Sequence, residues 1–229
     1  MTLLEIAAGL VLGYVVGSVL ESLVHEYIGD APPRVLAFYC RHARLFSRYV
    51  DAHFSHHVIH HHRTFVQSHV RQFDTVHQRA KLEAFLAERG AHGREIIRNG
   101  FSDRLHTESI VTFSMPWIVA GTVIALLAPP VTAIAAALAL TLAPWLSHVI
   151  HPYVHMTFDE GQRRAPPLVA ALLRTRYMRA VYRAHFMHHR HASSCNYNLV
   201  LGGDWLRRRW RRADEDDLAA MREAGMPVD

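Results

Sequence analysis

Sulfur is scarce in this chain, which has two cysteines, Cys40 and Cys195, in 229 residues. They stand far apart with no C-x-x-C pair, which excludes a disulfide framework, a zinc ribbon and a cysteine-ligated iron–sulfur cluster. No internal repeat is present. An apolar fraction of 50 % and a mean hydropathy of +0.02 argue against disorder. Basic residues are missing before the first apolar stretch and between the last two. What the chain does have is histidine, 19 in all.

The near-zero hydropathy hides segregation along the chain. Stretches 3–24, 110–128 and 131–150 are each long enough to cross a bilayer, which takes about 20 mostly apolar residues. The first is interrupted only by Glu5 and Glu21, and the other two carry no charge. Pro129-Pro130 between them reads as a tight turn joining antiparallel spans. All 25 Lys and Arg fall between Arg34 and Arg104 or between Arg163 and Arg222. Positive loops stay in the cytoplasm, so the N-terminus and the proline turn are expected outside, and both basic regions and the C-terminus inside. Without a basic leader region, the first segment reads as a retained anchor. The pI of about 9.6 then reflects topology and anionic lipid, with no nucleic acid required.

The expected fold is an all-α integral membrane protein with about three transmembrane helices and histidine-bearing helices at the cytoplasmic face. One domain covers 1–212, including a cytosolic helical insertion at about 66–106, and 213–229 is an acidic mobile tail. Cytosolic helices are expected at 34–64, at 75–89 (Asp74 as cap, Gly90 as stop) and at 166–189.

The histidines fall in four clusters, which the charge argument places at one membrane face without using any histidine. His25 follows the first span. The second cluster is H-F-S-H-H-V-I-H-H-H, His53 to His62. The third is His148, His151 and His155 at the end of the third span, where Pro152 is expected to kink the helix and aim His155 at the site. The fourth is His185, His188 and His189. In an α-helix, positions i, i+3 and i+4 share a face, so His53, His56, His57, His60 and His61 form one stripe and His62 lies off it. Two H-x-x-H-H registers compete, His53/His56/His57 and His57/His60/His61, and His57 belongs to both. Neutral imidazoles suit first-row transition metals, and these are too many ligands for one ion and enough for two. His42, His69, His77, His92 and His106 read as ordinary. Glu21, Glu26, Asp159, Asn196 and Asn198 are candidates to orient the ligands.

The motifs H-F-S-H-H (or H-H-V-I-H-H), H-P-Y-V-H and H-F-M-H-H, followed by Cys195-Asn196-Tyr197-Asn198 and Asp204-Trp205, resemble the fatty acid hydroxylase superfamily. These are membrane-bound, histidine-rich, non-haem di-metal oxygenases that include sterol desaturases. The likeness covers about residues 20–210. It implies that His25, the His53–His61 cluster, His151, His155, His185, His188 and His189 hold two iron ions. It also implies O₂, an external electron donor (a ferredoxin, a cytochrome b5-like protein or a flavin reductase) and hydroxylation or desaturation of a lipid or lipid-like substrate. Zinc competes well for nitrogen ligands and is the expected replacement in isolated protein. The chain departs from the family where Asp30 stands in place of a second histidine in the first box. Either Asp30 is a ligand or that box supplies one ligand only. The non-enzymatic alternative is a histidine-rich membrane protein that binds or transports metal.

Overall fold

The computed structural model describes residues 2–65, 68–101, 107–191 and 194–228, apart from the side chains of 107–113, 143 and 147. The described residues form helices and no strand.

Helix α1 (Leu3–Val24) starts with a capping box between Thr2 and Glu5 and passes into a π turn, His25–Gly29. Helices α2 (Pro33–Arg41) and α3 (Ala43–His53) follow. A second π segment, Phe54–Thr64, carries most of the second histidine cluster. Helices α4 (Val76–Ala87) and α5 (Gly90–Arg98) form the insertion. Next come α6 (Thr107–Leu127), α7 (Pro130–Leu140), α8 (Leu142–Val154), α9 (Phe158–Arg164), α10 (Pro167–Leu173) and α11 (Arg176–Arg190). The chain ends in short α12 (Gly203–Leu206) and α13 (Glu215–Glu223).

Two stretches, Leu3–Gly29 and Pro130–Val154, are long and apolar enough to cross a membrane. The expected middle span coincides with α6, whose described apolar part is Ser114–Leu127. Pro129-Pro130 makes the turn into α7, with Pro130 in the first helical turn, where its missing N–H costs nothing.

Glycines dictate how α1 meets α7. A Cβ on Gly9 would lie 2.4 Å from the Thr132 carbonyl oxygen, and one on Gly13 would lie 2.1 Å from that of Ala136. Gly17 faces Leu140. This Gly-x-x-x-Gly spacing lets backbones touch where apolar burial drives little association. Partner numbers rise together, so the two helices run parallel. Both therefore deliver their C-terminal sides, with His25 after α1 and His151 late in α8, to the same end of the bundle.

Several expected elements are divided. The 34–64 helix breaks at His42 (φ −111°, ψ 36°) and changes winding after His53. The third span breaks at Thr141, because Pro144 cannot donate to the Leu140 carbonyl; the helix then continues through Pro152 to Val154. The 166–189 helix splits before Thr175, whose hydroxyl accepts from the Met178 N–H and caps α11. Thr75, not Asp74, caps α4. The tail expected to be mobile is a capped helix: buried Asp217 accepts from Arg190 Nε at 2.8 Å, and Met221 is fully buried.

Gly13→Ala should lower the thermal unfolding midpoint of detergent-solubilised protein, by the equivalent of roughly 1–3 kcal/mol for overpacking. Gly121→Ala, whose added Cβ meets only a Leu140 methyl at 3.6 Å, is the control and should be near neutral. Equal midpoints for the two variants would contradict the parallel glycine contact.

Candidate metal centre

The two π segments select the ligands. A π turn closes i→i+5 hydrogen bonds, so residues five apart share a face. The Asp30 N–H donates to the His25 carbonyl at 2.8 Å, which brings the His25 and Asp30 side chains together. The same winding pairs His56 with His61, Nε2 to Nε2 3.0 Å, and His57 with His62 at 3.1 Å. The α-helical stripe expected over 53–61 therefore does not form. Neither H-x-x-H-H register gathers as a unit.

Two buried groups result. The first is His25, Asp30, His56, His61 and His188, and the second is His60, His155, His185 and His189; within each, the ligand atoms lie within 4.8 Å of one another. In the first group, His25 Nε2 is 2.8 Å from His56 Nε2, and His188 Nε2 is 3.2 Å from His61 Nε2. Asp30 Oδ2 faces His188 Nε2 at 3.3 Å and His25 Nε2 at 3.5 Å. In the second, His155 Nε2 and His185 Nε2 are 2.8 Å apart. The groups abut, with the His61 and His189 rings 4.1 Å apart. Two dipeptides, His60-His61 and His188-His189, each send one ring to each group.

Backbone carbonyls fix the tautomers. His25 Nδ1 donates to the Tyr197 carbonyl at 2.6 Å and His188 Nδ1 to that of Cys195 at 2.9 Å. His155 Nδ1 donates to the His69 carbonyl at 3.1 Å. A carbonyl only accepts, so each of these rings turns a bare Nε2 lone pair inward. Imidazole nitrogens and a carboxylate converging within 4.8 Å in a buried site make a donor set that fits a metal ion.

Charges follow the same logic. Burial holds His61, His155, His185 and His189 well below the ordinary imidazole range, and so keeps them neutral. Burial would raise the Asp30 carboxyl, but His56 beside it and the hydrogen bond from His57 hold it well below its usual range. His57 donates Nδ1–H to Asp30 Oδ1 at 2.8 Å, and so orients the carboxylate from behind.

The remaining candidates take different places. His53 stacks on His57. His151 is buried beside the second group, its ring 4.8 Å from that of His185. His148 and Asp159 are exposed and belong to neither group. Glu21 accepts from Asn198 Nδ2 and from the Leu199 and Val200 N–H groups at 2.8–3.1 Å. Glu26 pairs with Arg207 and Arg209. Asn196, at φ 53°, exchanges two hydrogen bonds with the Arg211 backbone. These contacts pin the 195–211 strap, whose Cys195 and Tyr197 carbonyls aim two ligands, against α1.

His69, expected to be ordinary, is buried against His155, His185 and His189. Its Nε2–H donates to the Val154 carbonyl at 2.8 Å while its own carbonyl holds His155. Its position seven residues before α4 carries no motif; only the fold reveals it. His106 lies outside the described residues.

No family model, curated protein or solved structure matches the chain.

Burial lowers the His69 pKa to about 4 from an ordinary 6.5. Between those values the unfolded chain takes up a proton that the folded chain refuses, so stability falls as pH falls through this window. His69 alone is worth about 3 kcal/mol. The thermal midpoint of chelator-treated protein should fall as pH drops from 6.5 to 4, and His69→Phe should show a shallower slope. A flat profile would contradict burial of neutral imidazoles.

Proposed function

We propose that this protein is a membrane-embedded di-iron oxygenase that hydroxylates or desaturates an unactivated C–H bond of a lipid-like substrate. In this reading three spans, α1, α6 and α7–α8, hold the site at the cytoplasmic face with the N-terminus outside. The reading rests most on one observation: two buried ligand groups lie side by side and share two histidine dipeptides. When bound, a reduced iron pair supplies the capacity to activate O₂ with externally delivered electrons. The family likeness of the histidine boxes supports iron, which the donor set accepts but does not distinguish from zinc.

The chain's own residues divide the remaining work. Among the described residues Asp30 is the one carboxylate in the two groups, so a donor set of eight imidazoles and one carboxylate would neutralise little of the charge of two bound cations. The Cys195, Tyr197 and His69 carbonyls hold three rings in one tautomer, which limits rearrangement while charge changes at the centre. Burial of His60 and His188 excludes bulk water from the ligand atoms. In this reading the site lies beside the bilayer, where an apolar substrate body would lie.

The test is a comparison of lipid extracts from cells grown under ¹⁸O₂ and expressing wild type, His188→Ala or His189→Ala. Wild type should yield a lipid carrying one labelled oxygen, or one that lacks two hydrogens, and neither variant should. Identical extracts from all three, with wild type metal-loaded, would contradict the oxygenase and leave a metal-binding or transport protein.

A further inference from the structure

A cavity of about 330 Å³ opens where the second π segment meets the insertion. Arg63 and Thr64, the last two residues of that segment, line it with Arg71, Asp74, Lys81 and Phe85. Three cations thus face one carboxylate. The Arg71–Asp74 pair is long, at 4.0 Å, and largely solvated, so it neutralises little. Arg63 and Lys81 have no carboxylate partner among the described residues. The Arg63 guanidinium instead lies over the Phe85 ring, 5.2 Å from its centroid, which holds the fork ready beside the cavity. Thr64 is 2 % exposed, and its Oγ1 has no hydrogen-bond partner among the described residues. A buried hydroxyl without a partner is costly, and a bound acceptor would satisfy it.

We propose that this cavity binds a phosphate group at the polar end of the substrate, an inference that rests on the oxygenase reading for the word substrate but not for the binding. A phosphate monoester offers several acceptor oxygens and close to two charges, which match two unpaired cations, a third nearby and a free hydroxyl. Phe85 adds an apolar wall for the part of the ligand next to the phosphate. Arg63 and Thr64 lie within one π turn of His60 and His61, so phosphate held here anchors a ligand on the segment that supplies both ligand groups. The source is either a membrane lipid headgroup or a soluble phosphate ester.

The experiment is calorimetric titration of full-length, metal-loaded protein with inorganic pyrophosphate and with dihexanoyl phosphatidic acid. Both should bind, and Arg63→Gln/Lys81→Gln should weaken both at least about tenfold with metal content unchanged. Because the ligand histidines are untouched, that loss locates the phosphate in the cavity rather than on the metal. If the double variant folds poorly, exposed Lys81→Gln alone should still weaken both probes. Lipid binding more than about tenfold tighter than pyrophosphate identifies a membrane headgroup, and equal binding a soluble ester. Metal-loaded wild type that ignores both probes, or variants that bind as wild type does, would overturn the proposal. Wild type that binds phosphate but no metal would contradict the oxygenase and leave this site standing.

Discussion

Imidazole lone pairs gathered in a buried site are satisfied by a neighbour's proton or by a shared cation, and a cation is the stronger partner. Here that arrangement is repeated across two groups that touch, and much of the surrounding structure maintains it. Carbonyls of Cys195, Tyr197 and His69 take the Nδ1 protons, which leaves Nε2 of His188, His25 and His155 pointing inward. Asp30 adds a carboxylate with one oxygen toward three histidines and the other held by His57. A metal ion held among these groups would couple its binding to folding.

The supporting elements can be traced outward from that constraint. The 195–211 strap can aim His25 and His188 only if it is itself fixed, and Ser18, Glu21 and Ser22 fix it to α1 while Glu26 fixes it to the π turn that follows. Ser18 Oγ donates to the Val200 carbonyl, and Ser22 Oγ to Asp204, which in turn accepts from the Asn198 N–H. Helix α1 is seated on α7 by its glycines, and α8 then carries His151 to the second group and leads into His155. A disturbance at Gly13, in the apolar bundle, is thus linked to ligand geometry through continuous packing and hydrogen bonds.

Much of this was legible in the sequence. The apolar stretches, the Pro129-Pro130 turn and the gathering of His25, His155, His185, His188 and His189 at one end follow from composition and spacing. The π winding did not follow, because local sequence carries no strong signal for i→i+5 hydrogen bonding. A shift from four to five residues per face therefore moved His57 behind Asp30 and sent His60 and His61 to different groups. Thr141 was a readable break, since Pro144 stands three residues later. The carbonyls that orient the ligands were invisible, because every residue type has one. His69 lacked a motif, and His148 shared a helical face with His151 yet lies exposed one turn too early.

In the proposed reading two metal centres exist and are divided between adjacent histidines. Elemental analysis of purified wild type, His188→Ala, His189→Ala and the double variant tests it most directly. Two ions per chain are expected in wild type, one in each single variant and none in the double. A single ion in wild type, or a full complement retained by both single variants, would contradict it.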